Sequence, residues 1–152
     1  MSINIGVCPK FTDKHWELLL QADPSKQQIE KYIKRGYIFE LRWEGELAGI
    51  IVSTPKTVER IEIMNLSINE KWQGKGYAKA LIEYACLFSA ANGYRIVEIG
   101  TGNSSLNQLA LYQKVGFRMV EIVRDYFIRY YPEPIFENGI LCRDMVRLER
   151  KL

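Results

Sequence analysis

Apolar and polar residues alternate in several short stretches of this chain and recur at helical spacing in others. Two β-prone runs flank a glycine turn at residues 44–46, which predicts a hairpin. Residues 60–68 carry apolar side chains at odd and even positions, which is typical of a central strand covered on both faces. Strict alternation within this strand would put Glu62 and Asn65 on opposite faces. The predicted strands are 3–7, 37–43, 47–54, 60–68, 95–100, 117–123 and 141–148, and the predicted helices are 15–22, 25–34, a long helix to about 92, and 106–115.

The order of these elements predicts the fold class. Two helices precede the hairpin and the central strand, and the long helix then joins two strands as a βαβ unit with parallel strands. We therefore expect a mixed α+β sheet with helices on both faces. No repeat, low-complexity tract or long linker interrupts residues 1–152, which predicts a single domain. The aromatic-rich stretch 125–140 is predicted to be irregular.

Composition narrows the classes of function. The net charge of +3, from 21 basic and 18 acidic residues, is too small and too evenly spread to favour nucleic-acid binding. No apolar run approaches the roughly 18 residues that span a bilayer, and the first residues do not resemble a signal peptide. We expect a cytoplasmic protein without a membrane partner. Three separated cysteines form no CxxC pair, so neither a metal site nor a disulfide framework is predicted.

The stretch WQGKGYAK, residues 72–79, places two glycines at the predicted start of the long helix. Glycine costs helix stability, but a helix N-terminus with free amides and no Cβ atoms suits a phosphate. Lys71, Lys75 and Lys79 add positive charge at four-residue intervals. The alternative is a flexible turn with exposed lysines. Neither the nucleotide-hydrolysing P-loop pattern nor G-x-G-x-x-G is present.

Two sequence blocks point to one family. Gln73, Gly76 and Ala78 match the pattern Q-x-x-G-x-A, and residues 111–117 read LYQKVGF. Their order and separation resemble the acetyl-coenzyme A loop and the penultimate helix of the GCN5-related N-acetyltransferase (GNAT) superfamily. The resemblance covers roughly residues 37–123.

The resemblance implies an acyl-CoA N-acyltransferase fold, whose central, mostly antiparallel sheet is splayed open beside the central strand. Acetyl-CoA would be the acyl-donor substrate, without a metal. Its pantetheine arm would pair with the backbone of that strand, and its pyrophosphate would lie on the amides of the following loop. The implied cofactor-binding residues are Leu66, Ser67 and Ile68 for pantetheine, and Gln73, Gly74, Lys75, Gly76, Tyr77 and Ala78 for the pyrophosphate.

The implied reaction is direct transfer of the acetyl group to a primary amine of a small molecule or a protein. Tyr112 matches the family's general acid, although an ordinary half-buried tyrosine beside a core stripe would give the same pattern. Glu62 matches a position where relatives often have the carboxylate base, and Asn65 could hold a water there. Glu98 is a second candidate base. Charged strand residues are more often solvated than catalytic.

The chain also departs from the family pattern. Ser105 stands where many members carry an asparagine, and Asn103 and Asn107 flank it. Either asparagine is expected to contact the cofactor or to cap the helix instead. The lone His15 is interpreted as a surface or packing residue rather than a base.

The aromatic and acidic segment 125–144 admits two interpretations. It could wall the amine site, or it could extend the core or form a subunit interface, as in a homodimer. For the whole chain, the alternative to an enzyme is a non-catalytic CoA sensor or interaction module on the same fold.

Overall fold

The computed structural model describes residues 2–152, which divide into two compact units, one up to residue 95 and one from residue 96. The first unit contains an antiparallel sheet in the order β1-β2-β3-β4, with helices packed on it. A single 3-10 turn at Glu70–Trp72 leads from the fourth strand towards the third helix. The strands are β1 Ile3–Val7, β2 Tyr37–Trp43, β3 Glu46–Pro55 and β4 Arg60–Ile68, and the helices are α1 Asp13–Ala22, α2 Lys26–Ile33 and α3 Tyr77–Ala91.

Local sequence signals set most of these boundaries. Ser25 accepts a hydrogen bond from the Gln28 amide and caps α2, and serine is one of the residues preferred at this position. Glu44 and Gly45 both have positive φ, the geometry of a tight hairpin turn that matches strand twist. The first helix begins two residues before its predicted start, with Thr12 as its N-cap residue.

Helices cover both faces of the first unit's sheet, as predicted. On one face, α1 and α2 pack against alternate residues of β3, including Ile50 and Val52. On the opposite face, Gly49 lies against Leu81 of α3. The buried core beneath α1 and α2 consists of Leu18, Leu19, Ile29, Tyr32, Leu47, Ile50 and Val52.

The second unit contains a smaller antiparallel sheet in the order β5-β9-β6. The sequence predicts a core stripe of Leu106, Leu109 and Ala110 beside Tyr112, but Leu106 and Ala110 are exposed on the longer helix of this unit. Tyr112 is the buried residue there. The strands are β5 Ile96–Gly102, β6 Arg118–Val123, β7 Phe136–Glu137, β8 Ile140–Leu141 and β9 Met145–Lys151, and the helices are α4 Leu106–Lys114 and α5 Tyr126–Tyr130.

The prediction that residues 125–140 are irregular is wrong. They form α5 and a short hairpin, β7 with β8, around Asn138-Gly139. Both turn residues have positive φ, and Asn-Gly is the strongest short hairpin signal in a sequence. That signal was available, but the surrounding aromatic residues obscured it.

No described helix has the length and apolar character needed to cross a membrane. This agrees with the absence of a long apolar run in the sequence.

Close packing at Gly49 generates a stability prediction. A Cβ at this position would lie 2.6 Å from Ile68 Cδ1 and 3.1 Å from Leu81 Cδ1. Gly49→Ala should therefore lower the free energy of unfolding by about 1–3 kcal/mol through overpacking. Gly6→Ala is the matched control, because Gly6 also lies in a strand and its added Cβ would meet nothing within 4 Å. Urea denaturation of both variants would test this, and equal losses would contradict it.

Candidate active site

The loop between β4 and α3 has a left-handed backbone at both of its glycines. Gly74 has φ +76° and Gly76 has φ +83°, a region that other residues enter only at a cost. An added Cβ at either position would meet no atom within 4 Å. The two glycines are therefore needed for the turn itself, and they also leave the space above it open.

The amides of this loop are available to a ligand. Among the described residues, the backbone N–H groups of residues 74–79 donate no hydrogen bond, and the first helical bond of α3 runs from Ala80 N to the Gly76 carbonyl. Free amides at a helix start carry partial positive charge and attract anions. No acidic residue lies between Lys71 and Ile82 to oppose that charge. The loop therefore has the free amides and the positive charge that an anion site requires.

The predicted loop residues fall into two groups. Lys75 and Lys79 are exposed beside the free amides, whereas Lys71 Nζ lies 3.5 Å from Glu46 and 4.6 Å from the centre of the Trp72 ring. Gln73 also differs from its neighbours. Its amide donates to the Glu70 carbonyl at 3.3 Å, and its side-chain Nε2 donates to the Ile68 carbonyl at 2.9 Å. Gln73 thus holds the loop against β4.

The end of β4 is fixed by bonds from two directions. The Ile68 carbonyl accepts from Gln73 and also from Gln21 Nε2 of α1, at 2.7 Å. The next amide, of Asn69, donates to the Ala48 carbonyl of β3. Ser67 is buried, and its hydroxyl has no hydrogen-bond partner among the described residues.

A β-bulge changes which side chains share a face of β4. Val52 of β3 pairs with Asn65, but the next residue, Ser53, pairs with Ile63, so Met64 is the extra residue. The bulge places Glu62 and Asn65 on the same face of the strand, because it reverses the alternation between them. The prediction of strict alternation here is therefore wrong. The face they share is that of Val52, towards α1 and α2.

Glu62 is a half-buried carboxylate on this face. Its Oε1 lies 3.7 Å from Lys56 Nζ, and it pairs across the strands with Thr54. The Thr54 hydroxyl is buried without a partner among the described residues. The Glu62 carboxylate and the Thr54 hydroxyl thus form a polar patch that can accept hydrogen bonds from a bound group.

Asn65 is oriented by a buried chain of hydrogen bonds. Its Nδ2 donates to the Leu19 carbonyl and to the Tyr32 hydroxyl, both at 3.0 Å, and Tyr32 donates in turn to Asp23. Because both donors are used, the Asn65 Oδ1 is left as a fixed acceptor, and no described residue donates to it. Burial raises the pKa of the Tyr32 phenol, with the Asp23 carboxylate also acting to raise it, so Tyr32 keeps the proton of this chain.

In the second unit, Tyr112 lies on α4 with its ring buried near Phe117, at 6.2 Å between ring centres. Burial raises the pKa of its phenol well above the usual value, because the phenolate would be poorly solvated. The group is therefore protonated at neutral pH, which a proton donor requires.

The other candidate residues of the second unit are committed to structural contacts. Glu98 is buried and lies 2.9 Å from Arg147 Nη2. The Asn103 side chain accepts from the amides of Arg143 and Asp144 and donates to the Leu141 carbonyl, so it does not cap α4. Asn107 is exposed in the first turn of α4.

The segment after α5 is fastened to the start of α4. The hydroxyls of Ser104 and Ser105 both donate to Glu137 Oε1, at 3.1 and 2.7 Å, and Asn138 donates to the Ser104 carbonyl. Ser105, which replaces the family's asparagine, is thus used to hold the β7–β8 hairpin. Sequence reasoning missed this role because the partners are about 30 residues apart.

The lone His15 is also a packing residue rather than a surface residue. It is almost fully buried, and its Nε2 lies 2.8 Å from Glu40 Oε1. One of the two interpretations left open by the sequence is therefore confirmed, and the exposed one is wrong.

Comparisons with known proteins agree with this geometry. The acetyltransferase (GNAT) family model matches residues 9–117. An uncharacterized N-acetyltransferase of Bacillus subtilis, YvbK, is 48% identical over 147 residues, which cover 96% of this chain and 94% of that protein.

Solved structures resemble the chain over nearly its whole length. A GNAT family acetyltransferase from Elizabethkingia anophelis with acetyl-CoA bound has a TM-score of 0.96 at 40% identity, covering 99% of each chain. A Bacillus subtilis acetyltransferase in complex with CoA has a TM-score of 0.95 at 44% identity, with the same coverage. The likeness confirms the acyl-CoA N-acyltransferase fold class. With the family match over residues 9–117, it shows that the chain belongs to the acetyltransferase (GNAT) family and is an N-acetyltransferase of that type.

Proposed function

We propose that this enzyme transfers the acetyl group of acetyl-CoA directly to a primary amine of a small molecule or a protein, within a ternary complex. The observation that carries the proposal is the loop of free amides at residues 74–79, opened by two left-handed glycines. A pyrophosphate offers several acceptor oxygens and two or more negative charges, which this loop complements.

Donor binding uses backbone groups more than side chains. The pyrophosphate lies on the amides of Gly74, Lys75, Gly76, Tyr77 and Ala78, with Lys75 as an exposed counter-charge. Gln73 contributes by shaping the loop, since its side chain and amide already have partners. The pantetheine arm runs along the backbone of residues 66–68. Asn107 of α4 is a further contact to acetyl-CoA in this proposal. The Asn103 side chain, which bonds to the backbone of residues 141–144, holds the residues before α4 in place.

In the chemical step, the amine nitrogen bonds to the acetyl carbonyl carbon and the carbon–sulfur bond breaks. An alkyl amine is mostly protonated at neutral pH, and the resulting ammonium has no free electron pair. It must therefore lose a proton before it can attack. Glu62 accepts that proton through a water held by Asn65 Oδ1. The leaving thiolate takes a proton from Tyr112. As the amide forms, the nitrogen loses a second proton to solvent. Solvent also returns a proton to Tyr112 and removes the one held by Glu62, so the reaction releases one proton overall.

Two observations favour Glu62 over Glu98 as the base. The bulge places Glu62 on the same face as Asn65. The Oδ1 of Asn65 receives no hydrogen bond from any residue that the structure describes, so it can hold a water. Both carboxylates have a cation nearby, but Arg147 lies 2.9 Å from Glu98 whereas Lys56 lies 3.7 Å from Glu62, and the closer cation weakens a base more.

We call the loop of residues 73–78 the donor loop, because the proposal places the acetyl donor on it. The proposal is tested by substituting two glycines that have the same backbone geometry, one in this loop and one outside it. Gly76→Ala should weaken acetyl-CoA binding by roughly tenfold or more, because alanine resists the left-handed region and its methyl group enters the open space above the loop. Gly93→Ala is the matched control, since Gly93 has φ +89° and the same open surroundings but lies after α3. Calorimetric titration with acetyl-CoA measures both.

The pair of variants separates strain from ligand contact. Equal affinity of the two variants would contradict the loop assignment. Wild-type protein that binds acetyl-CoA but releases no thiol with a broad panel of primary amines would favour the non-catalytic sensor.

Removal of the Tyr112 hydroxyl tests the acid. Tyr112→Phe should lower kcat by about a hundredfold, the lower range for loss of a general acid, and leave acetyl-CoA affinity unchanged. Because burial raises the pKa of Tyr112, the wild-type enzyme should not lose this proton donor as pH rises through the mildly alkaline range. Thiol-release rates against pH, with an amine found in the panel, would show both effects. A variant with wild-type kcat would exclude Tyr112 as the acid.

The base is tested by comparing two carboxylates. Glu62→Gln should reduce kcat by about a hundredfold at neutral pH, because the amide cannot accept the amine proton. Glu98→Gln should instead lower the free energy of unfolding, since it removes the negative charge from the 2.9 Å ion pair with Arg147. Rates and urea unfolding of both variants distinguish the roles, and the reverse pattern would make Glu98 the base.

A further inference from the structure

Three side chains with metal-binding chemistry meet in the first unit, away from the donor loop. Cys8 follows β1, His15 lies in the first turn of α1, and Glu40 lies within β2. The cysteine sulfur, one ring nitrogen of the histidine and one carboxylate oxygen all lie within 4.8 Å of one another. Nothing in the proposed acetyl transfer uses this group.

The histidine and the carboxylate already have the outer partners that metal ligands usually have. His15 Nδ1 lies 2.9 Å from the Thr12 hydroxyl, and its Nε2 faces Glu40 Oε1 at 2.8 Å. The other carboxylate oxygen, Oε2, accepts from Arg42 Nε at 2.6 Å, and Arg42 Nη2 makes a longer contact of 3.4 Å with Oε1. In metal sites, such contacts orient the ring and hold the carboxylate. Glu40 Oε1 and His15 Nε2 are thus aimed at each other.

We propose that Cys8 Sγ, His15 Nε2 and Glu40 Oε1 form a binding site for a zinc-class divalent cation. A thiolate and an imidazole favour zinc and its neighbours in the periodic table over magnesium or calcium. With three protein ligands, a fourth position remains for a water or an exogenous ligand. His15 and Glu40 are buried, whereas Cys8 is half-buried and gives access from solvent.

Binding requires a defined rearrangement of protons. The Thr12 amide donates to His15 Nδ1 at 3.0 Å, so the ring proton is on Nε2 in this structure. On binding, Nε2 takes the cation and the ring proton moves to Nδ1, where the Thr12 hydroxyl accepts it. The Cys8 thiol releases one proton to solvent. The charges of the cation, the thiolate and the carboxylate then sum to zero beside Arg42.

This rearrangement has three costs. The hydrogen bond between His15 Nε2 and Glu40 Oε1 is lost, and the Thr12 amide loses its acceptor on the ring. In addition, burial and the nearby Glu40 carboxylate raise the pKa of the Cys8 thiol to about 11, so this thiol keeps its proton until a cation displaces it. Direct coordination of the cation by all three side chains offsets these costs, and a coordinating thiol is deprotonated by the metal.

The site would join three elements that are distant in sequence. A cation held there cross-links the end of β1, the start of α1 and β2, so it should stabilise the folded state in proportion to its concentration. No local sequence motif predicts this cation site, because Cys8 and His15 lie 7 positions apart and His15 and Glu40 lie 25 positions apart along the chain.

The test uses Co²⁺ as a spectroscopic probe and Zn²⁺ as the competing ion, on the full chain. Wild-type protein should show a near-ultraviolet thiolate-to-cobalt charge-transfer band, and Zn²⁺ should abolish it. Dialysis against Zn²⁺ should leave one equivalent per chain and raise the Tm. Cys8→Ser should remove the band and weaken Zn²⁺ binding by roughly tenfold or more, the loss of one strong ligand contact.

Cys86→Ala is the matched control, because Cys86 is a buried free thiol on α3 outside this group. It should keep the band and the zinc equivalent. Absence of the band in wild-type protein, its survival in Cys8→Ser, or its loss in Cys86→Ala would overturn the proposal. Acetyl-CoA titration of Cys8→Ser shows whether this variant is folded and still binds the acetyl donor. Failure of the metal site would change the cobalt band and zinc binding but not acetyl-CoA binding. Failure of the proposed acetyl transfer would appear instead in acetyl-CoA binding or thiol release of the wild-type protein.

Discussion

The carbonyl of Ile68 accepts hydrogen bonds from two glutamines, and the arrangement of the first unit depends on this shared acceptor. Gln21 reaches it from the last turn of α1, and Gln73 reaches it from the donor loop. A carbonyl oxygen has two lone pairs, so both bonds can form at once. The strand end, the helix and the loop are thereby fixed relative to one atom. The left-handed glycines can then hold their turn, with the following amides facing outward.

The proposed function gives a role to polar groups that packing leaves without a hydrogen-bond partner. Thr54, Asn65 and Ser67 each bury an oxygen without a described partner, on two strands whose other buried residues are mainly apolar. Such groups cost stability, commonly about 1–3 kcal/mol each, and their retention calls for a use. The bulge at Met64 gathers Asn65 with Glu62 on one face, so the unsatisfied acceptor and the carboxylate can serve the same reaction.

The second unit uses its polar residues differently. The side chains just before α4 make structural hydrogen bonds. Those of Ser104 and Ser105 bond to the β7–β8 hairpin, and that of Asn103 bonds to the segment before β9. The aromatic segment is therefore held against the second unit by these hydrogen bonds. Tyr112 is the exception on α4, since it is buried and keeps its proton through burial alone.

The sequence by itself determined the features whose causes lie within a few residues. The hairpin turn at Glu44-Gly45, the Ser25 cap, the long helix after Gly76 and the family blocks all follow from local spacing and residue type. The Asn138-Gly139 turn belongs to the same class, although the aromatic neighbours hid it. From these features the α+β class, the order of most elements and the family could be predicted.

The tertiary structure decided whatever depends on partners far apart in the chain. The bulge in β4 arises from its register with β3, and strict alternation therefore misplaced Asn65 relative to Glu62. The chain from Asn65 through Tyr32 to Asp23, the Glu137 bonds of Ser104 and Ser105, and the meeting of Cys8, His15 and Glu40 leave no local pattern. Residue type shows what a side chain can bond, but only the packed chain brings its partner within about 3 Å, where a hydrogen bond forms.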